Sequence, residues 1–199
     1  MAVQPGAELL IQGDGDRRAF FRSTIGRAAR ELAERAEQRV VTQRYFRPPG
    51  AVSEVEFLSL CTRCGECERV CPPQALVPLP ASAGIAAGTP TLDPKVQPCT
   101  VCIDIPCARA CPTGALLVPE LLWTGYRMAR LTLVPETCIV FQGVACGVCA
   151  RVCPVGEDAL ALDEEGRPVI KAEGCVGCGV CVRACVSAPR SLILEPLET

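Results

Sequence analysis

The sequence predicts an α+β protein made of small β-hairpins and short helices in two lobes, with an α-helical extension ahead of them. Three observations carry this expectation. The 199 residues include sixteen cysteines, and these fall into four quartets with none left over. They are Cys61, Cys64, Cys67 and Cys71, then Cys99, Cys102, Cys107 and Cys111, then Cys138, Cys146, Cys149 and Cys153, and last Cys175, Cys178, Cys181 and Cys185. Each quartet is followed by a short apolar run with the length and flanking turn residues of a strand. Large aromatics are scarce, with one Trp, two Tyr and five Phe. Side chains alone therefore make a lean core, and whatever the cysteines hold must act as its nuclei.

Residues 1–52 form the extension and residues 53–199 the cysteine-bearing domain. Up to residue 50 the chain carries nine arginines against six acids and no cysteine, whereas the remainder has 11 basic and 16 acidic residues. After Gly13-Asp14-Gly15-Asp16, residues 17–41 read as an amphipathic helix. Phe20, Phe21, Ile25, Ala28, Leu32, Ala36 and Val40 recur at three- and four-residue steps, with arginines and glutamates between them. Asp14 or Asp16 supplies its cap, and Pro48-Pro49-Gly50 ends the segment. Such a helix either packs along the body with a solvated charged face or docks on a partner or an anionic membrane surface. Arg17-Arg18-Ala19-Phe20-Phe21-Arg22 looks like the core of a twin-arginine export signal. A signal needs an apolar stretch next, and residues 26–40 instead contain Arg27, Arg30, Glu31, Glu34, Arg35, Glu37 and Arg39. No segment approaches the length of a transmembrane helix. The expected location is the cytoplasm or the inner face of the membrane.

In the second part the expected strands are Ala75-Leu76-Val77, Ala115-Leu116-Leu117-Val118, Ala159-Leu160-Ala161-Leu162 and Ser191-Leu192-Ile193-Leu194. Asp163-Glu164-Glu165-Gly166 reads as a hairpin turn into Pro168-Val169-Ile170. Arg130-Leu131-Thr132-Leu133-Val134 reads as a strand leading into Cys138. A short helix should follow the third cysteine of each run. The repeating unit is then a cysteine loop, a helical turn and a β-hairpin, used four times, with two units to a lobe.

The spacing of the cysteines points to their chemistry. The first quartet, followed by Pro72, is C-x2-C-x2-C-x3-C-P. The fourth repeats it with Val186 in place of the proline, and the second and third, followed by Pro112 and Pro154, stretch one gap each. In the bacterial ferredoxin run of this spacing, three cysteines hold one [4Fe–4S] cluster and the fourth reaches a neighbouring one. Three thiolates on a tight loop can wrap one face of a cube, whereas the last cysteine, one helical turn on, points elsewhere. Proline after it suits the change of direction, because it lacks an N–H and fixes φ. All sixteen cysteines are therefore expected to be ligands, and four runs predict four [4Fe–4S] clusters. A disulfide framework needs an oxidising compartment and usually a small secreted chain. Structural zinc uses paired C-x2-C elements, often with histidine, and this chain has no histidine.

The same absence removes Rieske centres, His-ligated haem, Ser-His-Asp triads and histidine general bases. No phosphate loop, flavin fingerprint or acid–base constellation accompanies the cysteines, so the chain reads as an electron carrier and not as a free-standing enzyme. The formal charge is −2. Four oxidised clusters at about −2 each would bring it to about −10, which argues against nucleic acid as a partner.

Cys61-Thr62-Arg63-Cys64-Gly65-Glu66-Cys67 resembles the first run of the NapG/MauM and NapF ferredoxin-type proteins. Gly88-Thr89-Pro90, then Pro98-Cys99-Thr100-Val101-Cys102 and Pro106-Cys107-Ala108-Arg109-Ala110-Cys111-Pro112-Thr113-Gly114-Ala115-Leu116, is similar to the second run of the NapG/MauM type. The seven-residue gap of Cys138-Ile139-Val140-Phe141-Gln142-Gly143-Val144-Ala145-Cys146 is shared as well, and generic ferredoxins lack it. The resemblance covers residues 55–195. It implies two ferredoxin-like dicluster lobes that pass electrons between a quinol-oxidising membrane partner and a terminal, molybdenum-type oxidoreductase. The alternative it leaves open is a factor that assists maturation of such an enzyme.

The resemblance also implies nested pairing of the runs, on analogy with the electron-transfer subunits of molybdoenzymes. Cys61, Cys64 and Cys67 would then share a cluster with Cys185, and Cys175, Cys178 and Cys181 with Cys71. The inner runs would join Cys99, Cys102 and Cys107 to Cys153, and Cys138, Cys146 and Cys149 to Cys111. Sequential pairing, first with second and third with fourth, is the alternative, and the gaps between runs do not decide. Arg63 and Arg109 lie beside ligands, where they either raise local potentials or stand solvated.

Overall fold

A computed structural model of the chain describes residues 45–197 and, ahead of them, Gly26, Arg27, Arg30 and Glu31. Those four are helical and exposed. The rest of the expected amphipathic helix, with the twin arginines, lies outside the described residues. The chain divides into two compact units, Met1–Thr42 and Gln43–Thr199. Residues 45–52, read from sequence as the end of the extension, belong to the second unit. Phe46, Ala51 and Val52 pack against its core.

Strand pairing organises that unit into two halves. After the first run, β1 (Leu76–Pro78) pairs antiparallel with β2 (Pro90–Leu92), placing Leu76 opposite Leu92. β3 (Ala129–Leu133) precedes the third run. After that run β4 (Leu160–Leu162) folds back on β5 (Pro168–Ile170). The Asp163-Glu164-Glu165-Gly166 turn forms as expected. Asp163 Oδ1 accepts the backbone N–H groups of Glu165 at 3.0 Å and Arg167 at 2.7 Å, and Gly166 supplies the positive φ of 78° that the turn requires.

After the fourth run β6 (Leu192–Pro196) returns to β3, with Ala129 opposite Pro196 and Leu133 opposite Leu192. The first half closes in the same way but more briefly. Ala51 bridges Leu116, flanked by hydrogen bonds from Val52 N–H to Ala115 O (3.2 Å) and from Leu117 N–H to Gly50 O (2.7 Å). In each half, the segment before the first of its runs pairs with the segment after the second.

This closure corrects two expectations. The run Ala115-Leu116-Leu117-Val118 is not a strand, since its partner is the three-residue segment at 50–52 and only one bridge forms. The hairpin also does not recur four times. It follows the first and third runs, while the chain after the second and fourth runs goes back to the start of its own half.

Five short helices carry the loops. α1 (Glu54–Leu60) leads into the first run. α2 (Glu66–Arg69), α3 (Pro106–Arg109), α4 (Val148–Arg151) and α5 (Val180–Ala184) each hold the third cysteine of a run as their second residue, where the sequence suggested a helix after it. Each begins from a left-handed residue, at φ 75° for Gly65, 82° for Gly147 and 85° for Gly179. Glycine adopts that conformation without steric penalty. In the second run the same place is taken by Ile105 at φ 45°, a strained state for a β-branched residue. Its side chain is 1% exposed, so its burial offsets the strain, and Pro106 presets the first helical φ.

The core contains the cysteines themselves. Phe57 (0% exposed), Leu76, Leu92 and Met128 pack with Cys67, Cys99, Cys107 and Cys178. A second cluster joins Leu160, Val182 and Leu192 to Cys181. One buried ion pair secures the first half. Arg47 donates from Nε to Glu54 Oε2 at 2.8 Å, and through NH1 to Thr89 Oγ1 at 2.8 Å and Pro90 O at 2.9 Å. Its guanidinium also lies 4.6 Å from the Phe57 ring centre. The two side chains are 8% and 11% exposed, so losing one partner strands the other charge. Arg47→Met is expected to destabilise the protein by about 3–5 kcal/mol, seen as a Tm lowered by about 10 °C in thermal unfolding of the intact holoprotein. An unchanged Tm would show that Glu54 finds other partners.

Candidate iron–sulfur sites

The loops place the thiols around volumes, not points. One cavity is lined by Cys99, Cys102 and Cys107 of the second run and by Cys71, the last cysteine of the first. A second is lined by Cys138, Cys146 and Cys149 with Cys185. A third is lined by Cys175, Cys178 and Cys181 with Cys153. Each combines three cysteines of one run with the fourth of the other run in the same half. This contradicts nested pairing, because Cys71 stands with the second run and Cys175 with Cys153. The physical reason is the Ala51–Leu116 closure, which completes the first half before the chain reaches the third run. Cys61, Cys64, Cys67 and Cys111 line none of these three cavities, and Cys67 lies close enough to Cys61 and Cys107 to feel their charge.

The donors fit an iron–sulfur cluster. Among the described residues, no three Cys, Asp or Glu side chains converge closely enough to hold a single metal ion. Thiols spread around a cavity suit a cube. Burial pushes the Cys67 and Cys99 thiols up to about 12, and Cys107 and Cys178 to about 11. Burial and the nearby thiols raise Cys181 further still. Without metal these groups stay protonated at neutral pH, whereas bound iron strips the proton from a coordinating thiol.

Two of the fourth cysteines move the other way. Burial pushes Cys111 up, but N–H groups of Leu116, Thr113 and Ala115 and the Thr113 hydroxyl outweigh it and hold the thiol low. At Cys185 burial is likewise outweighed, by Ser191 and Ser187. Leu116 N–H lies 3.4 Å from Cys111 Sγ, and Ala75 N–H lies 3.3 Å from Cys71 Sγ. Ser191 Oγ is 3.4 Å from Cys185 Sγ. Hydrogen bonds to ligand sulfur are one of the levers that set cluster potential.

Several contributors escaped the sequence reading. Every run reads Cys-x-Arg-x-Cys over its last five residues, giving Arg69, Arg109, Arg151 and Arg183. The pattern was open to inspection, and only Arg109 was singled out. Arg109 Nε donates to Asp104 O at 2.6 Å and Arg151 NH1 to Cys146 O at 3.0 Å, so both brace the loop ahead of their helix. Arg63 is exposed, and its guanidinium is nonetheless held. It donates to Ala87 O and Ile85 O at 2.8 Å each, tying the Ala81–Ala86 turn to the first loop. Trp123, on the connection between the halves, lines the second-run cavity and donates from Nε1 to Cys102 O at 2.8 Å. Nothing in the local sequence marked Trp123. Arg63 and Val101 also sit at φ 60° and 58°, which cysteine spacing does not reveal.

Two family models, each described as a 4Fe-4S dicluster domain, match residues 60–115 and 130–186. Each spans two successive runs, so the chain is a ferredoxin-type iron–sulfur protein with four [4Fe–4S] clusters. It is 41% identical over 146 residues to the methylamine utilization ferredoxin-type protein MauM of Paracoccus denitrificans, covering 69% of this chain and 65% of that protein. With MauM of Methylophilus methylotrophus the identity is 40% over 162 residues, covering 77% of this chain and 71% of the relative. With the ferredoxin-type protein NapG of Escherichia coli it is 38% over 143 residues, covering 66% and 62%. The chain belongs to this MauM/NapG family of ferredoxin-type proteins. It spans just under two thirds of the length of the Paracoccus and E. coli members.

Proposed function

We propose that this protein relays single electrons between a quinol-linked membrane donor and a terminal oxidoreductase. The observation that carries the reading is the set of three cavities in which each run of three thiols is completed by the last cysteine of its neighbour. By the same relation Cys61, Cys64, Cys67 and Cys111 form the remaining site. A [4Fe–4S] cluster bound at such a site supplies reversible one-electron chemistry over a wide range of potentials. The chain's own part is placement and tuning. The helix caps aim the third cysteines, the carbonyl-bonded arginines stiffen the loops, and the donors on Cys71, Cys111 and Cys185 lower the charge density on sulfur.

The first unit, Met1–Thr42, serves as a basic extension that docks on the donor or on the adjacent membrane surface. No helix among the described residues is long and apolar enough to cross a membrane. The charged, helical Arg27, Arg30 and Glu31 support a place at the cytoplasmic face, which protease accessibility in intact spheroplasts tests directly.

The relay is tested by anaerobic reductive titration of purified holoprotein, with reoxidation by a candidate acceptor. Uptake of about four electrons per chain, returned rapidly to an oxidoreductase, is expected. Clusters that cannot be reversibly reduced would overturn the reading.

A further inference from the structure

Four sites make one relay only where the two halves touch closely. The second and third runs are adjacent in sequence, which makes them the obvious junction. The structure brings a different pair together. Cys99 of the second run and Cys178 of the fourth share one buried core with Val176 and Met128.

Within the second half the backbone beneath Cys178 is tightly packed: Met128 N–H donates to Val176 O at 2.9 Å, and a Cβ on Gly177 would stand 2.3 Å from the carbonyl oxygen of Ala129. Between the halves, two contacts close the gap. A Cβ on Gly179, the cap of α5, would stand 2.4 Å from Cβ of Pro94, just ahead of the second run. At the far end of α5, Arg183 Nε donates to Val96 O at 3.2 Å. The equivalent caps behave differently, since Gly65 has nothing within 4 Å and Gly147 meets Leu162 of its own half.

We propose that electrons cross between the halves at this contact of the second and fourth runs, with Gly179, Pro94 and Arg183 as its positioning residues. The relay order is then first, second, fourth, third, and not the order of the chain. At the crossing one electron leaves one site and enters the other, so one is oxidised as the other is reduced and no bond forms or breaks. Within the second half, Cys153 and Cys185 each line the cavity of the other run, which carries the path on to the third.

The inference rests on the ligand sets proposed above, and its test reads magnetic coupling, not turnover. In the fully reduced holoprotein, neighbouring clusters broaden and split each other's EPR signals. Emptying the fourth-run site with Cys175→Ala and Cys178→Ala is expected to leave one narrow, isolated signal from the third-run cluster. Emptying the third-run site with Cys146→Ala and Cys149→Ala is expected to leave none. The reverse outcome would overturn the proposed order. If either variant fails to fold, Gly179→Ala is compared with Gly65→Ala in the four-cluster chain. Both substitutions strain a left-handed residue, but only the first wedges Pro94 away. Loss of inter-half splitting in Gly179→Ala alone supports the junction, and equal spectra refute it. Clusters that do not reduce at all would instead fail the electron-transfer reading, so the two failures are distinguishable.

Discussion

Stripped of iron by a chelator under reducing, anaerobic conditions, the chain is expected to lose its tertiary structure. The reason lies in what fills the core. Cys67, Cys99, Cys107 and Cys178 are core residues of the first cluster of packed side chains, and Cys181 of the second. They pack there beside three cavities lined by the cysteines of the runs. A domain of this size has a net stability of about 5–15 kcal/mol. Structural metal sites contribute about 10 kcal/mol or more to folding in small metalloproteins, so losing four clusters exceeds the whole margin.

Any compact structure left in the metal-free chain should also depend on pH. Burial raises the folded pKa of Cys99 to about 12 and of Cys178 to about 11, whereas unfolded thiols titrate near 9. The metal-free fold therefore keeps protons that the unfolded chain releases. That stability is fully present below about pH 9 and is lost as pH rises from about 9 to about 12, by about 1.4 kcal/mol per pH unit for each thiol. Amide exchange at neutral pH and circular dichroism through the alkaline range read both effects. Native-like protection of the β1–β2 pair in the chelated chain would refute the first, and a stability that rises with alkaline pH would refute the second.

The parts of the fold that local chemistry dictates were legible in the sequence. Asp163-Glu164-Glu165-Gly166 announced its turn because an Asp acceptor and a glycine with positive φ suffice for it, whatever lies around them. The strands at Leu76, Leu131, Leu160 and Leu192 were visible for a similar reason, as apolar runs beside turn residues. The segment at 115–118 misled because its composition suits a strand while its partner, at 50–52, is too short to make one. Composition reports what a segment can pair with, and not whether a partner of matching length arrives. The sixteen cysteines stood out at once, but how they group was beyond reach. Grouping depends on which termini of a half close on each other, and the Ala51–Leu116 and β3–β6 pairings are long-range contacts that no spacing encodes. The unusual φ of Ile105 and the reach of Trp123 to Cys102 are of the same kind.

Pairing of the runs has the sharpest consequence at Cys71. If Cys71 completes the second-run site, as its cavity indicates, then Cys71→Ala combined with Cys102→Ala removes two ligands from a single cluster. Two thiols do not retain a cube, so the site should empty and iron should fall by about four per chain, with the other three clusters intact. Cys71→Ala combined with Cys175→Ala instead removes one ligand from each of two clusters. Three thiols remain at both sites, and each should persist in part as a three-iron cluster with a signal in the oxidised EPR spectrum. Nested pairing predicts the opposite assignment, because it places Cys71 and Cys175 on one cluster and Cys71 and Cys102 on two. Iron and sulfide counts with oxidised-state EPR on the two purified double variants separate these cases. The expected result also bears on the relay. Sequential pairing makes each half a self-contained unit of two sites, so electrons can pass along the molecule only where the halves meet, at Gly179 and Pro94.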